Sequence, residues 1–372
     1  NDLSAWWYFA QISWSAGFKD SVSWADDAKY YYSTNMDAWS ENGAIKLTRL
    51  PTLHTTLTEN IECGAELEVN ATTNKYLGTD DNASSKPVIY RDGVDISPAA
   101  ITTNNNAISQ FSARSGILWV SLIGIGATSI FTREGTTWTD QTPLIDTLTT
   151  HASQSSRCHV EYAGTMYVFR DNSTNDSYAL VKTTTKNPSL AAHWSLVFER
   201  LTTDGLPVAC AIYNAKIYYL ISNSSNTELR VYDIAAATDV SVQVFKNTST
   251  LASTWGTGDK LLTVLNGKLI ITIPPREILQ IDGTTLTRIF LRDEYKFNNL
   301  LAESYPYLER GCIIANNKAW WGNLMYDGDY FHNTFKEVTD ATGSSMRPMF
   351  VDSSGILYFS DSVNNKKLYS YT

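Results

Sequence analysis

Short apolar and aromatic runs alternate with polar turns along most of the chain, and the alternation recurs at a near-constant interval. A turn residue leading a tight apolar strand appears as Gly116-Ile-Leu-Trp119, Gly164-Thr-Met-Tyr167 and Ala215-Lys-Ile-Tyr218. It returns as Gly267-Lys-Leu-Ile270, Asn317-Lys-Ala-Trp320 and Gly355-Ile-Leu-Tyr358, and Gly64-Ala-Glu-Leu67 reads as a weaker early copy. The turn positions are separated by 52, 48, 51, 52, 50 and 38 residues. Near-equal spacing of this size marks a repeat architecture in which each unit is one supersecondary element.

More strands can be read inside the units. Met166–Arg170, Tyr178–Lys182 and Trp194–Glu199 follow one turn; Ile217–Ile221, Glu228–Asp233 and Val240–Phe245 follow the next. With the strand that precedes each turn, a unit holds about four strands in ~50 residues, as a propeller blade does. Helical periodicity is confined to Asn299–Ser304 and Pro143–Thr149. The fold class expected is all-β, a β-propeller of six or seven blades over residues 43–372, preceded by an extended N-terminal arm, residues 1–42. The last unit ends at Thr372 with Lys367–Tyr371 as its terminal strand. A closed propeller completes such a blade from the other chain end, and Ala44–Arg49 is the expected partner.

Composition sharpens this picture. The chain carries 11 Trp, 21 Tyr and 13 Phe among 372 residues, and aromatic side chains pack well on pleated surfaces. A net charge of −9 without a basic run argues against sequence-specific nucleic-acid binding, which draws its affinity from Lys and Arg on phosphates. No stretch approaches the ~20 apolar residues of a membrane span; Ile117–Ala127 is broken by Ser121, Gly124 and Gly126. Asn1 reads as a processed or trimmed end, so a secretion signal could precede it. The four cysteines show no C-x-x-C spacing. Cys158, Cys210 and Cys312 instead stand five or six residues before a repeat turn, as expected of a recurring small buried position.

Motifs that would carry chemistry fail on spacing. Gly124-Ile-Gly126 lacks the third glycine and the helix of a dinucleotide fold. Asp171 to Asp176 has Asp where a calcium loop needs Gly, and Lys182 where it needs Glu. Asp327-Gly-Asp329 and Thr79-Asp-Asp-Asn82 read as turns. Thr132 to Trp138 differs from an Asp-box hairpin because its acid and glycine are adjacent. His54, His151, His159, His193 and His332 are scattered without metal-ligand spacing. No catalytic residue, cofactor or metal is therefore assigned. Acids converging from separate blades, as glycoside hydrolysis uses, are invisible to this reading.

The arm has its own character. Trp6, Trp7, Tyr8, Phe9, Trp14, Phe18, Trp24, Tyr30 and Tyr31 crowd a short stretch ending near Asn35. Such a segment needs cover, either from the propeller or from another subunit, and these ten residues are the candidate subunit contacts. The sequence Gly17-Phe-Lys-Asp-Ser, then Ala28 to Asn35, Glu41-Asn-Gly43 and Arg49-Leu-Pro resembles the opening of the tail-nozzle and fibre-dock proteins of short-tailed phages. It differs in lacking a proline before the Asn and in having Arg-Leu-Pro for Arg-x-Gly. The resemblance implies a virion tail protein that forms a ring with copies of itself and presents a propeller platform. Its partners would be other tail or adaptor proteins, with fibres or host-surface glycans as further contacts. Two other readings stand beside it: a carbohydrate- or receptor-binding propeller, with an extracellular location, and a propeller glycoside hydrolase or lyase. Trp119, Tyr167, Tyr218 and Trp320 hold repeated positions that would either stack on sugars or fill the core.

Overall fold

A computed structural model describes residues 36–37, 46–47, 52–80, 86–103, 105–124, 129–150, 155–172, 177–201, 205–222, 226–246, 260–274, 277–291, 311–322, 324–333, 346–361 and 366–371. Among them lie seven four-stranded antiparallel sheets, six of them contiguous in sequence. Blade 1 is Ile61–Val69, Thr72–Thr79, Ile89–Arg91 and Val94–Asp95; blade 2 is Asn105–Arg114, Ile117–Gly124, Ile130–Glu134 and Thr137–Asp140. Blade 3 is Ser155–Tyr162, Thr165–Asn172, Ser177–Thr183 and Ser195–Leu201; blade 4 is Leu206–Tyr213, Lys216–Ser222, Asn226–Asp233 and Thr238–Lys246. Blade 5 is Leu262–Leu265, Lys268–Ile273, Glu277–Asp282 and Thr285–Leu291; blade 6 is Ile313–Ala315, Lys318–Trp321, Leu324–Tyr326 and Phe331–Asn333. Blade 7 takes Met346–Val351, Leu357–Asp361 and Lys367–Tyr371 from the end of the chain and Thr52–Thr56 from its beginning.

The first strands of successive blades neighbour one another around the ring, and that of blade 7 meets that of blade 1. The molecule is a closed, seven-bladed β-propeller. The strand that closes it is Thr52–Thr56, not Ala44–Arg49; Lys46–Leu47 pairs instead with Met36–Asp37. A short α-helix, Thr142–Asp146, falls on the helical signal at Pro143–Thr149, opens with a proline in its first turn, and joins blades 2 and 3. The second helical signal, Asn299–Ser304, lies outside the described residues.

The turn chemistry accounts for the repeat. In six blades the first two strands are joined by two residues with positive φ, the backbone that lets a tight hairpin keep its strand twist. These pairs are Asn70-Ala71, Ser115-Gly116, Ala163-Gly164, Asn214-Ala215, Asn266-Gly267 and Asn316-Asn317. Blade 1 therefore turns at Asn70-Ala71, and Gly64 is not its turn residue. Gly64 lies within the first strand, where an added Cβ would sit 2.8 Å from the ring of Phe350 on blade 7. Glycine in a strand interior commonly marks such close approach.

The core is divided into seven apolar layers, each between two adjacent blades, with the last between blades 7 and 1. Because successive side chains on a strand face opposite ways, a second strand packed between two blades must be apolar at almost every position. In blade 2, Ile117 and Trp119 face blade 3, whereas Leu118, Val120 and Leu122 pack in the layer with blade 1. Trp119, Tyr167, Tyr218 and Trp320 all point toward the next blade and are at most 9% exposed. They are core residues enclosed in the layers between blades, where no sugar ring can stack on them, so the sugar-stacking role considered for them fails. All four cysteines are buried thiols outside any disulfide, on or beside first strands. Burial, with Cys210 alongside, pushes the Cys158 thiol well above the usual range, so it is a poor nucleophile.

Polar ties cross the layers as well. Arg114, 4% exposed, ends the first strand of blade 2 and donates to four carbonyls of blade 3, in its first turn and at the end of its third strand: Thr183 at 3.3 Å, Thr185 at 3.2 Å, Thr184 at 2.8 Å, and Gly164. Replacing it strands those carbonyls. Arg114→Leu is expected to lower unfolding free energy by about 3 kcal/mol, since bonds to charged donors are each worth ~1.5–3 and do not add fully. Urea unfolding measures this, and a loss below about 0.5 kcal/mol contradicts it. At the closing seam Lys75 of blade 1 donates to Asp352 at 3.0 Å and to Tyr358 of blade 7 at 2.6 Å. Tyr358 in turn donates to Asp352 at 3.1 Å.

Candidate functional site

The ten aromatic and polar arm residues named as subunit contacts, from Trp6 to Asn35, lie outside the described residues. The structure brings together a different set. Blade 1 and blade 2 present their hairpin ends side by side, and between them lies a cleft of about 450 Å³. Its walls include Asn70, Asn74, Tyr76, Arg91, Asp92 and Arg133.

Each side chain is placed by ordinary strand logic. Tyr76 and Arg91 are paired neighbours on adjacent strands of blade 1. Asp92 and Gly93, both with positive φ, turn the chain from Arg91 to Val94. The Asp92 carboxylate ties this turn to the neighbouring second strand, accepting from the Lys75 amide at 2.9 Å. Arg133 stands on the third strand of blade 2 opposite Trp138, with its guanidinium 5.6 Å from the centre of that ring. Trp138 is itself fixed by donating to the Ile96 carbonyl at 2.9 Å.

Arg133 is the unusual member. It is 6% exposed, and its Nε is buried without a hydrogen-bond partner. Burying a charge without a partner is costly, and most buried polar atoms are satisfied. Burial first, and the Arg91 charge second, lower the proton affinity of Arg133; Tyr76 acts the other way. Burial also pushes the Tyr76 phenol up, against the pull of Arg91 and Arg133. Among the described residues neither arginine has a carboxylate partner. The adjacent Glu134 accepts instead from Asn187 at 3.0 Å.

Other buried carboxylates among the described residues are matched by cations, although Arg170 Nη1 and Arg200 Nε are, like Arg133 Nε, buried without a hydrogen bond. Asp171 pairs with Arg157 at 2.5 Å, Asp239 with Arg200 at 2.7 Å and Arg230 at 2.9 Å, and Glu277 with Arg288 at 2.7 Å. These pairs tie strands to one another. Asp171 thus belongs to an ion pair rather than to a calcium loop, the remainder of which, 173–176, lies outside the described residues. Asp327 accepts from the amides of Asp329 at 2.9 Å and Tyr330 at 2.8 Å, which is the turn its sequence predicts. Thr132 to Trp138 forms the hairpin of the last two strands of blade 2. Among the described residues no group of three His, Cys, Asp or Glu could hold a metal ion.

His159 is buried between blades 2 and 3, with Ser112 Oγ 2.6 Å from its Nε2 and Ser121 Oγ 2.7 Å from its Nδ1. Ser121 also meets Ser156 at 3.0 Å, and Gln110 holds the His159 backbone from both sides at 2.7 and 3.0 Å. The serine–histidine contact has the reach of a nucleophile–base pair, but at 1% exposure no substrate can approach it. Its role is to satisfy polar groups within the wall. Burial holds the imidazole neutral, with its pKa lowered to about 3.

The cleft was not visible in the sequence because its arginines stand on separate hairpins. The available signal was an arginine beside Trp138 in a strand that is otherwise apolar or small on its inward positions.

No family model matches the chain, and no curated protein does. Solved structures with a similar fold include the Dos1 propeller, 12% identical, with a TM-score of 0.48, covering 87% of this chain and 94% of that one. An auxiliary nutrient binding protein from Bacteroides ovatus is 8% identical, with a TM-score of 0.48 over 87% of this chain and 72% of its own. The computationally designed Ika8 protein is 6% identical, with a TM-score of 0.40 over 86% and 99%.

Proposed function

We propose that this chain is a structural propeller of a phage tail end, docked into a ring of its own copies by the N-terminal arm. The observation that carries this reading is where the arm joins the fold. The first strand of the closed ring, Thr52–Thr56, is the outermost strand of blade 7. The residues before it therefore start from the rim, at the place from which a segment reaches a neighbouring subunit most directly. The nine aromatic contact candidates, among eleven aromatic residues of the arm, supply the apolar surface such a contact needs, and the arm carries the likeness to tail-nozzle and fibre-dock proteins. Other tail or adaptor proteins are the partners this reading implies, and the virion tail its location.

The test is made in the full chain. Replacing Trp6, Trp7 and Trp14 together with Ser is expected to reduce assemblies to a particle of 41.5 kDa. The thermal midpoint of the propeller should stay within about 3 °C, as for changes outside the packed core. Mass photometry and calorimetry measure the two. Assemblies that persist would remove the arm from the contact.

A second reading, a ligand-binding propeller, is favoured by the cleft, because Arg91 and Arg133 converge there without carboxylate partners among the described residues. The two readings are compatible in one molecule.

A further inference from the structure

We infer that the cleft between blades 1 and 2 is a binding site for an acidic sugar, with its carboxylate held by Arg91 and Arg133. The inference rests on the ligand-binding reading and is independent of the arm and of any ring. Arg133 is more than nine-tenths buried, lines the cleft, and is in no ion pair among the described residues; its enclosed Nε, beyond the reach of a ligand, adds to the cost of burying the charge. A second cation, Arg91, lines the same space, and its charge works against that of Arg133. Two like charges line this cleft, neither in an ion pair among the described residues, and its one carboxylate, Asp92, is engaged by the Lys75 amide; an anion relieves their repulsion.

The remaining walls select among anions. Arginine pairs bind planar carboxylates through parallel N–H donors. Asp92 in the wall disfavours a dianion such as phosphate, whereas a monocarboxylate tolerates it better. Asn70, Asn74 and the Tyr76 phenol offer the mixed donors and acceptors that sugar hydroxyls use. The volume of about 450 Å³ lies in the range of small-molecule sites, and is large enough for a sugar ring as well as its carboxylate. Trp138 fixes Arg133 from the side by its ring face, so the guanidinium is held in position before the ligand arrives.

The probe is D-glucuronate, titrated calorimetrically into the full chain, with D-glucose, inorganic phosphate and N-acetyl-aspartate amide as comparators. Glucuronate is expected to bind at least tenfold more tightly than each comparator. Arg133→Met and Arg91→Gln are each expected to weaken glucuronate at least tenfold. Arg133→Met should also raise the thermal midpoint, because it replaces an unpaired buried cation with an apolar side chain of similar length. That rise also establishes that the variant is folded. Glucose binding as well as glucuronate removes the arginines from recognition and overturns the proposal. Equal binding of phosphate makes the cleft a general anion site, and equal binding of the aspartate amide makes it a dock for an acidic protein side chain. Either result overturns the sugar assignment. So does unchanged glucuronate affinity in the folded Arg133→Met protein.

Discussion

A chain that stops at Lys366 is expected to lose at least about 5 kcal/mol of unfolding free energy, a large share of the ~5–15 kcal/mol typical of a folded protein. The missing strand, Lys367–Tyr371, pairs on one side with Leu357–Asp361 and on the other with Thr52–Thr56. Removing it exposes the layer that Leu368, 1% exposed, shares with Ile61, Leu77, Met349 and Phe350. It also removes Tyr369, 6% exposed, from the layer between blades 6 and 7. Two such side chains are worth ~1.5–3 kcal/mol each. Two hydrogen-bond ladders go with them, and the closing strand is left with no partner in its sheet. Urea unfolding followed by tryptophan fluorescence measures the loss. A truncated chain within about 1 kcal/mol of the full one would mean that the ring does not depend on this closure.

The second large effect is acid destabilisation through His159. In the folded chain its pKa is lowered to about 3, against ~6.5 for a free imidazole. Above pH ~6.5 both folded and unfolded forms are neutral there, and the contribution to stability is complete. As the pH falls below that value, the unfolded chain takes up a proton that the folded chain refuses. Stability then drops by up to about 1.4 kcal/mol per pH unit, on the order of 5 kcal/mol by pH 3. His54 is shifted in the same direction, by burial first and by Lys75 second, but it is exposed on the closing strand, so solvent screens its share. His159→Gln keeps an amide that can serve the two serines and cannot titrate. It is expected to flatten the slope between pH 6.5 and 5, a window above most carboxylate titrations, while losing about 1–2 kcal/mol at neutral pH from imperfect hydrogen bonding. An unchanged slope in that variant would assign the acid response elsewhere.

Much of the fold was legible because its turns are chemically distinctive. Ser115-Gly116, Ala163-Gly164 and Asn266-Gly267 need positive φ at both positions, and the following strands are buried on both faces, so both features repeat in sequence. Blade 1 hid its turn. Asn70-Ala71 lacks a glycine, whereas the preceding strand carries one at Gly64 for an unrelated reason, the approach of Phe350. The closing strand hid for a different reason. Thr52–Thr56 is Thr-Leu-His-Thr-Thr, and its one aliphatic residue, Leu53, is 51% exposed. An outer edge strand held mainly by its backbone ladder leaves almost no apolar pattern, so the more regular Ala44–Arg49 looked the better partner. The cleft was illegible for a third reason. Arg91 and Arg133 are far apart in sequence and meet only when two blades stand side by side.

The most direct test of the account is the mass and symmetry of the full chain, by mass photometry and single-particle imaging. Rings of several propellers, joined through density running from the rim of each blade 7, are the predicted result. A uniform particle of 41.5 kDa at all concentrations, in the absence and presence of tail or adaptor proteins, would contradict it.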